Sequence, residues 1–407
     1  MSDTETLGVV GGGQLGRMLA EAAAPLGVEV VVLDPTPECP ASPVARDQIV
    51  GDFDDEAGVR ELAARADHLT YEIELADPDL LEAVGEEYGV PVNPDPETLR
   101  TIQDKLVQKR ALQDAGIPVP EFQQVDDRED LIAALDEFGS VMLKAREGGY
   151  DGRGNVPVED ESDVDEALAE IEAATDGDGT RAMAEEFVAF EREVSVIGVK
   201  GEDEIRTFPL GENVHREEIL RETVVPARTA EAVAERARGV AEAVLDLLSG
   251  RGVYGIELFE TPDGEILVNE IAPRPHNSGH YTIEGALTSQ FEQHARAVTG
   301  RPLGATDLRS PTVSANLLGN GEERRPAEWS GDDAILRHPG ASLHWYGKHE
   351  VYPLRKMGHL TVVGDSEALR ASEERTGCAR EHRSDAEDET ERLLREAREL
   401  RDEVTFQ

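Results

Sequence analysis

Cysteine, aromatic residues and long hydrophobic runs are all scarce in this chain of 407 residues. Its two cysteines, Cys39 and Cys378, exclude a disulfide framework and do not suggest a zinc site. No apolar run approaches the roughly 18 residues of a membrane span, and the acidic residues 1–6 lack the basic region of a signal peptide. We therefore expect a soluble cytoplasmic protein that has no membrane partner.

Positive charge is scarce as well. The sequence has 86 Asp and Glu residues against 40 Lys and Arg, which gives a formal net charge of −46. So acidic a surface argues against nucleic acid as a partner. It is typical of a salt-adapted protein, because at about 1 M salt the Debye length is only roughly 3 Å and self-repulsion is screened. Lysine is so rare that each one is informative, and five of the six lie in segments discussed below: Lys105, Lys109, Lys144, Lys348 and Lys356.

The first hundred residues alternate between short apolar strands and helices, which predicts a parallel sheet. The predicted elements, in chain order, are a strand at 7–10, a helix at 14–24, strands at 28–33 and 48–50, a helix at 56–65 and a strand at 69–73. The sequence Asn-Pro-Asp-Pro at residues 93–96 breaks this pattern. We place the end of a first domain at residue 98.

Beyond residue 98 the pattern is mixed. A helix (104–114), a glycine-rich loop, a long amphipathic helix (229–248) and a strand pair (253–271) follow one another, and a second break comes near residue 300. The sequence therefore predicts three further units: a central domain (99–300), a domain of short strands joined by Gly and Pro turns (301–378) and a charged, solvated helical tail (379–407).

The first chemical motif is a glycine-rich turn at residues 11–16. Its sequence, Gly-Gly-Gly-Gln-Leu-Gly, satisfies G-x-G-x-x-G between a predicted strand and a predicted helix, and Asp34 ends the next strand. In such a turn, backbone N–H groups hold a phosphate at the N-terminus of the helix. Taken alone, the turn favours a dinucleotide-binding dehydrogenase. The alternative is that its glycines only permit a tight connection.

A second glycine-rich loop spans residues 144–154. Four glycines in seven residues let the backbone approach a polyphosphate closely, and Lys144 and Arg153 supply positive charge. A plain hairpin, which is the alternative, would hardly need so many glycines. The loop therefore indicates a second anion-binding element.

Two glutamates form the most decisive pair. Residues 257–270 are interpreted as a hairpin, because Asp263-Gly264 is a favoured two-residue turn. Counting outward from that turn places Glu257 directly opposite Glu270, whereas strict alternation puts Asn269 on the other face. Two like charges so close are unfavourable unless a cation lies between them. Carboxylate oxygens beside a phosphate suit Mg²⁺, and an exposed acidic pair on a salt-adapted surface is the alternative.

Two polar segments follow the hairpin. Residues 272–280, Ala-Pro-Arg-Pro-His-Asn-Ser-Gly-His, form a loop of the kind that presents side chains to a ligand. Further on, Lys348, Arg355 and Lys356 cluster in a chain that otherwise avoids lysine, which indicates a local anion site. The alternatives are a structural histidine in the loop and a strand pair whose basic residues balance nearby acids.

Together these segments resemble the ATP-grasp superfamily, and within it the 5-(carboxyamino)imidazole ribonucleotide synthases of purine biosynthesis. The likeness covers residues 8–363, and it is carried by residues 12–19, 148–154, 269–280, 344–348 and 355–359. It implies an α/β and α+β protein with an N-terminal Rossmann-like (pre-ATP-grasp) parallel-sheet domain, a central ATP-grasp domain and a small β-rich C-terminal domain. ATP would lie between two α+β subdomains of the central domain, and the family likeness suggests a homodimer.

The resemblance also implies which residues bind the nucleotide and the metal. Glu257 and Glu270 would carry Mg²⁺, in agreement with the hairpin. The nucleotide would be contacted by Arg100, Lys144, Gly148, Gly149, Tyr150, Asp151, Gly152, Arg153, Gly154, Glu185, Glu186, Phe187, Val188, Glu193, His215, Asn269 and Glu270.

The implied reaction uses ATP to activate bicarbonate as carboxyphosphate, and the exocyclic amine of aminoimidazole ribonucleotide then takes up the carboxyl group. The glycine turn of the first domain would receive the phosphate of the ribonucleotide. Substrate-binding positions would be Gly13, Gln14, Leu15, Glu72, Tyr150, Asn277, Ser278, Lys348 and Lys356. Catalytic positions would be Asp151, which orients the amine, Lys348 and Arg355, which hold bicarbonate or its phosphate adduct, and Arg153, Arg274 and His276.

One position departs from the family. Where the family usually shows Thr-Tyr-Glu-Phe-Glu-Asn after the fourth strand, residues 70–75 are Thr-Tyr-Glu-Ile-Glu-Leu, so that Leu75 replaces an amide. Three other interpretations stay open. These are a formate-using transformylase of the same superfamily, an oxidoreductase based on the glycine turn and Asp34, and a non-catalytic nucleotide-binding regulator.

Overall fold

The first four strands form a parallel sheet, as the alternating pattern predicts. The computed structural model describes residues 4–148, 154–174, 181–365 and 383–406. The strands lie in the order β3–β2–β1–β4, and all three pairings are parallel. The elements of this domain are β1 (Glu5–Val10), α1 (Gln14–Ala23), a 3₁₀ turn (Ala24–Leu26), β2 (Val28–Asp34), β3 (Asp47–Val50), α2 (Glu56–Arg65), β4 (His68–Tyr71) and α3 (Pro78–Tyr88).

Both faces of this sheet are covered by helices. Alternate residues of β1 and β2 pack against α1 on one face and against α2 and α3 on the other. Burial on both faces explains why these strands are almost continuously apolar. The carboxyl ends of β1, β2 and β4 meet at one edge, which is where the glycine turn, Asp34 and Glu72 lie.

The next part of the chain builds a separate antiparallel sheet with the order β5–β8–β6–β7. Two helices pack on it through a common apolar core. Its elements, with the two helices that precede it, are α4 (Pro96–Gln103), α5 (Lys105–Asp114), β5 (Phe122–Val125), α6 (Arg128–Phe138), β6 (Val141–Ala145), β7 (Asn155–Val158), α7 (Val164–Ala174) and β8 (Ala182–Glu186). The second glycine-rich loop connects β6 to β7, and its residues Gly149, Tyr150, Asp151, Gly152 and Arg153 lie outside the described residues.

A larger sheet begins at β9. Helix α8 covers one of its faces through a core that includes Val194, Val244 and Ile256. The elements are β9 (Arg192–Lys200), β10 (Ile205–Thr207), β11 (Gly211–Arg216), β12 (Ile219–Val225), α8 (Glu231–Leu247), β13 (Gly252–Glu260) and β14 (Ile266–Ala272).

The strands after residue 300 extend this same sheet, because β15 pairs with β12. The complete order is β14–β13–β9–β11–β12–β15–β20–β18, with β10 on β9. The remaining elements are a 3₁₀ turn (Asn277–Gly279), α9 (Thr282–Gly285), α10 (Gln290–Val298), β15 (Thr312–Leu318), β16 (Arg325–Pro326), β17 (Trp329–Ser330), α11 (Asp332–Arg337), β18 (Ala341–Trp345), β19 (Glu350–Val351), β20 (Lys356–Val363), a C-terminal helix (Arg383–Glu403) and β21 (Thr405–Phe406). Within the described ranges, no helix is both long and apolar enough to cross a bilayer.

The prediction that the C-terminal helix is a solvated tail is wrong for its described residues. Leu393, Leu394 and Ala397 are buried in a core that they share with β15 and β20. Arg398 and Arg401 pair with Glu222 of β12, whose side chain is fully buried. The many charges of this segment concealed a narrow apolar stripe at helical spacing.

Candidate active site

The hairpin of β13 and β14 confirms the predicted register, in which Glu257 faces Glu270. The predicted two-residue turn is wrong, because Glu260 faces Ile266 and the loop between them has five residues, 261–265. Thr261 builds this wider loop, since its Oγ1 accepts a hydrogen bond from the N–H of Glu265. A β-bulge between Glu257 and Leu258 then restores the register by absorbing one extra residue.

The bulge also places Asn269, which strict alternation put on the other face. Asn269 lines the same cavity as Glu257 and Glu270, and its Oδ1 accepts a hydrogen bond of 3.2 Å from Lys144 Nζ. A bulge gives one strand an additional residue, so the side chains on either side of it no longer alternate. The bulge therefore brings an amide next to two carboxylates.

A cavity of about 400 Å³ lies between the antiparallel sheet β5–β8–β6–β7 and the hairpin of β13 and β14. It brings together ten residues that the sequence places at the nucleotide or the metal: Lys144, Glu185, Glu186, Phe187, Val188, Glu193, His215, Glu257, Asn269 and Glu270. The same walls include residues to which the sequence analysis gave no role: Lys105, Gln108, Lys109, Met142, Asn155, Met183, Phe190, Arg216, Glu217, Glu218 and Phe259.

Arg100, which the resemblance places at the nucleotide, lies elsewhere in this structure. It is on the outer side of α4, where its guanidinium pairs with Asp79, Glu82 and Glu97. Five residues later, Lys105 begins α5 and lines the cavity. The rarity of lysine in this chain was the signal that pointed to Lys105.

A buried network fixes the cationic wall of the cavity. Glu185 pairs through one carboxylate oxygen with Lys109 and through the other with Lys144, each at 2.7 Å. Lys109 also donates to the carbonyl of Val268 at 2.8 Å, which ties the wall to β14. Burial lowers the pKa of Lys109 to about 8. Burial opposes ionisation of Glu185 as well, but the two lysines outweigh it and hold the pKa of that carboxyl below its usual range.

The lining of the cavity also includes flat aromatic rings and a polar pair. The rings of Phe190 and Phe259 stack at 5.1 Å, which leaves planar apolar surface beside the segment 186–188. His215 Nδ1 lies 2.8 Å from Glu193 Oε2. Burial lowers the pKa of His215, but the hydrogen bond to Glu193 and the charge of Glu257 raise it by more, so that its pKa is above the usual value. Planar apolar walls and a nearby polar pair suit a heteroaromatic base that carries a ribose.

The glutamate pair has the properties of a cation site. Burial raises the pKa of Glu257 to about 7, and the negative charge of Glu270 adds to the shift. A divalent cation would relieve this repulsion, because it favours the charged form of both carboxylates. Among the residues that the structure describes, no group of three or more metal-binding side chains is found. Two carboxylate side chains fit Mg²⁺, because proteins usually bind this ion through one or two carboxylates together with phosphates and water.

The polar loop after β14 lies beside the glutamate pair. His276 Nε2 is 3.8 Å from Glu257 Oε1, and His276 Nδ1 is 2.9 Å from Ser278 Oγ. Burial and the charges of Arg274 and Lys356 hold the pKa of His276 well below its usual range, so this imidazole is neutral. Arg274 forms a two-point ion pair with Glu74, with Nε–Oε1 at 2.8 Å and Nη2–Oε2 at 2.9 Å.

The side-chain amide of Asn277 is a candidate ligand-binding group of the polar loop. Both polar atoms of its side-chain amide are buried and have no hydrogen-bond partner within the described part of the protein. Buried polar groups are normally hydrogen-bonded, so an unpaired amide in a polar loop indicates a position that a bound molecule completes.

Leu75, which replaces the usual amide of the family, is 53% exposed.

In the first domain, carboxylates occupy N–H groups of the glycine turn that were predicted to hold a phosphate. The N–H groups of Gly13 and Gly16 donate to Glu72, and the N–H of Gly12 donates to Asp34 at 2.9 Å. Burial raises the pKa of Glu72 to about 7 despite the hydrogen bonds from Gly13 and Gly16. Gln14 and Leu15 form the start of α1 beside this turn.

The three basic residues near the C-terminus differ in their contacts. Lys348 Nζ donates to the carbonyl of Lys356 at 2.7 Å and lies 5.6 Å from the centre of the Tyr346 ring. The charge of Lys356 acts on both His276 and Glu257, which places it on the side of the hairpin and the polar loop. The guanidinium of Arg355 lies over the ring of Tyr352, and its Nη1 donates to the carbonyl of Glu350 at 2.7 Å.

Comparisons with known proteins agree with this architecture. Three family models match consecutive parts of the chain: a ribonucleotide synthetase preATP-grasp domain (residues 4–103), an ATP-grasp domain (110–291) and a phosphoribosylaminoimidazole carboxylase C-terminal domain (312–373). The N5-carboxyaminoimidazole ribonucleotide synthase of Brucella melitensis is 45% identical over 362 residues, which cover 88% of this chain and 96% of that protein.

Solved structures show the same relationship. The N5-carboxyaminoimidazole ribonucleotide synthetase of Thermotoga maritima superimposes with a TM-score of 0.83 at 40% identity and covers 99% of both chains. The synthase of Aspergillus clavatus in complex with ADP and 5-aminoimidazole ribonucleotide gives a TM-score of 0.83 at 33% identity, over 99% of this chain and 100% of that one. The chain therefore belongs to the N5-carboxyaminoimidazole ribonucleotide synthase family of ATP-grasp ligases.

Proposed function

We propose that the protein carboxylates the exocyclic amine of 5-aminoimidazole ribonucleotide with bicarbonate, at the expense of ATP, for de novo purine biosynthesis. The products are 5-(carboxyamino)imidazole ribonucleotide, ADP and phosphate. One observation carries the proposal: Glu257 and Glu270 face each other at a cavity that Lys144 also lines and that adjoins the loop with His276. The names of the relatives, and the ribonucleotide in the Aspergillus complex, support this choice of substrate.

ATP is assigned to the 400 Å³ cavity. Its adenine would lie between the aromatic pair of Phe190 and Phe259 and the hinge Glu185 to Val188. Glu193, whose carboxylate His215 orients, would accept hydrogen bonds from the ribose hydroxyls. The triphosphate would run towards Lys144 and Lys105, and Gly148 and Gly154 are assigned to its phosphates from the resemblance alone.

The Mg²⁺ ions that accompany ATP would be held by Glu257 and Glu270. When bound, Mg²⁺ offsets negative charge on the transferring phosphoryl group. The protein's own part is positional: the bulge sets the two carboxylates opposite each other, and Asn269 keeps Lys144 at the same end of the cavity. Preorganised charges of this kind need no rearrangement when the reaction occurs.

The substrate end would be formed by the polar loop and the first domain. An oxygen of bicarbonate attacks the γ-phosphorus, the bond to ADP breaks, and carboxyphosphate forms; it releases phosphate and CO₂, which the amine nitrogen then attacks. Arg274, His276 and Lys348 would hold the anionic species, and Asn277 and Ser278 would contact the ribonucleotide with Lys356 nearby. The proton that the amine loses can pass to the released phosphate. His276, whose Nδ1 accepts a hydrogen bond from the N–H of Ser278, carries its hydrogen on Nε2 when neutral and would donate it to the anionic species. Asp151, Arg153 and Tyr150, which lie outside the described residues, and Arg355 are assigned to this end from the resemblance alone.

Phosphate release from ATP tests this function directly. We expect bicarbonate-dependent phosphate release that is stimulated by 5-aminoimidazole ribonucleotide, and no stimulation when formate with glycinamide ribonucleotide replaces the two substrates. A chain that releases phosphate equally well without aminoimidazole ribonucleotide would contradict the proposal. Binding of a nicotinamide cofactor, followed by fluorescence, would favour the oxidoreductase interpretation instead.

The raised pKa of Glu257 predicts how metal binding depends on pH. Because its pKa is about 7 when no cation is present, Glu257 is protonated below pH 7, and Mg²⁺ must displace that proton. We expect the apparent Kd for Mg²⁺, measured calorimetrically with a non-hydrolysable ATP analogue, to fall by up to about tenfold per unit as pH rises from 5.5 to 7 and then to level off. A Glu257→Gln variant is the control, since it keeps the titration of the nucleotide but loses that of residue 257. Equal slopes in the two proteins would contradict the assignment.

We further propose that the protein works as a homodimer in a salt-rich cytoplasm. The net charge of −46 and the near absence of lysine support the salt adaptation, because screened carboxylates hydrate the surface without driving the chain apart. Sedimentation velocity and thermal unfolding as functions of salt concentration test both statements. A monomer, or a Tm that does not rise with salt, would contradict them.

A further inference from the structure

The side-chain amide of Gln290 forms two hydrogen bonds with the backbone of the polar loop at His276. The N–H of His276 donates to Gln290 Oε1 at 2.9 Å, and Gln290 Nε2 donates to the carbonyl of His276 at 2.7 Å. This is a two-point contact between an amide and one residue's backbone, of the kind that a neighbouring strand would make. Gln290 is fully buried, so its amide is shielded from competing water.

Gln290 is itself held in place on several sides. Its N–H donates to Thr282 Oγ1 at 2.9 Å, and that hydroxyl donates to the carbonyl of Gly279 at 2.6 Å. Ser289 caps the helix that Gln290 begins. At Gly279, a Cβ atom would lie 2.4 Å from Gln290 Oε1, so only glycine leaves room for the amide. These contacts hold the side-chain amide of Gln290 in one position.

The helix that carries Gln290 touches both halves of the proposed site. Phe291 and Ala295 of α10 pack in one core with Leu15 of α1, next to the glycine turn. His294 of α10 lies 2.9 Å from Thr70 Oγ1 on β4 and accepts a hydrogen bond from the N–H of Val253 on β13. A residue fixed to α10 is thereby fixed relative to the first domain and to the strand that carries Glu257.

We propose that Gln290 is the positioning residue of the polar loop. It sets the backbone of His276, and with it Asn277 and Ser278, at the correct distance from Glu257 and from the ribonucleotide. Gln290 acts through His276 and does not itself contact a substrate. Errors of about 1 Å in such a loop can lower activity by about 10²-fold. The kinetic test of this role rests on the proposed function, whereas its structural test does not.

The chain offers a matched control on the same helix. Gln293 is also fully buried, and its Nε2 donates to the carbonyl of Gly304 at 2.7 Å while its Oε1 accepts from the N–H of Gly304 at 2.9 Å. Gln290→Met and Gln293→Met therefore each remove a two-point contact with one residue's backbone from the same helix, at nearly constant volume. Gln290→Met also removes a 3.4 Å contact between Nε2 and His280 Nδ1. Only the first of these two variants frees the polar loop.

We expect Gln290→Met to raise the KM for aminoimidazole ribonucleotide by about tenfold or more, with the KM for ATP within about twofold of the wild type. Gln293→Met should change neither KM. In Gln290→Glu, the KM for aminoimidazole ribonucleotide should return towards the wild-type value as pH is lowered. The reason is that only a protonated carboxyl can both accept from the N–H and donate to the carbonyl of His276. Equal effects of the two Met variants on the KM for the ribonucleotide would overturn the proposal.

Hydrogen exchange of the peptide covering residues 272–280 gives an answer that needs no substrate. Faster exchange in Gln290→Met than in Gln293→Met supports the proposal, and equal exchange overturns it. If the wild type ignores aminoimidazole ribonucleotide, the proposed function fails while this measurement still decides the role of Gln290. If Gln290→Met does not fold, hydrogen exchange of the same peptide is measured in Gln290→Glu, above and below the pH at which the introduced glutamate is protonated. Stronger protection of residues 272–280 in the protonated form supports the role of Gln290, and protection that does not change with pH overturns it.

Discussion

A Glu270→Gln variant is expected to lose about 10³-fold in kcat while it still binds ATP. The change removes one of the two opposed carboxylates, and an amide is a poorer ligand for a divalent cation than a carboxylate. The developing charge on the transferring phosphoryl group then loses part of its compensation, whereas the aromatic pair and the hinge still hold the nucleotide. Single-turnover phosphate release and equilibrium binding of ATP measure the two effects separately.

A good control lies on the same hairpin. Glu265 is exposed in the loop between β13 and β14, and Glu265→Gln removes the same charge from the same element. We expect its kcat to stay within about twofold of the wild type, since surface charges act weakly at a distance. Retention of kcat within about tenfold in Glu270→Gln would show that this carboxylate does not hold the metal.

The glutamate pair shows how far a sequence can predict a site. The register of Glu257 and Glu270 was predicted correctly, although the turn was not. A wider loop and a bulge shift the register by one residue each, in opposite senses, so the count from a two-residue turn gave the correct pairing. The position of Asn269 exposes the difference, because it depends on where the extra residue is inserted. Thr261 helps to set the width of the loop, but the place of the bulge between Glu257 and Leu258 is not contained in the periodicity of the hairpin.

The cationic wall was predictable in part. The scarcity of lysine draws attention to Lys105 and Lys109, but the sequence around them does not indicate what they bind. The resemblance instead assigns Arg100 to the nucleotide. The structure separates them by helix: Arg100 belongs to α4 and its acidic neighbours, whereas Lys105 and Lys109 belong to α5, which faces the cavity. Only the packing of α5 against β14 shows this.

Contacts between distant segments account for the remaining differences. Glu72 reaches the glycine turn because β4 lies beside β1, which brings together residues more than fifty positions apart. Gln290 reaches His276 across the connection through α9. Neither contact leaves a periodic or spaced pattern in the chain. The sequence therefore predicts which motifs carry functional side chains, but it does not predict which distant residues hold those motifs in position.

The C-terminal helix gives the second large effect, on stability. Deleting residues 383–407 is expected to yield a protein that unfolds or aggregates under conditions where the full chain is folded. Leu393 and Leu394 are buried, and burying each such side chain contributes about 1.5–3 kcal/mol. Deletion would also leave Glu222 without Arg398 and Arg401, and an unpaired buried charge costs about 3–5 kcal/mol.

A single substitution isolates the ion pair from the apolar burial. Arg401→Met keeps the helix and most of the side-chain volume but removes one partner of Glu222, whose side chain is fully buried. Burial raises the pKa of Glu222, yet Arg398 and Arg401 outweigh it and hold this pKa below its usual value. The stabilisation is therefore present above the unfolded pKa, near 4.5, and is lost as pH falls through the lower folded value. We expect the free energy of unfolding, measured with urea, to be lower in Arg401→Met by about 2 kcal/mol at pH 7 and by less at pH 4. Arg395→Met, at an exposed position of the same helix, should change it by less than about 0.5 kcal/mol. Equal losses in the two variants, or a loss that does not shrink in acid, would mean that Glu222 is not stabilised by this helix.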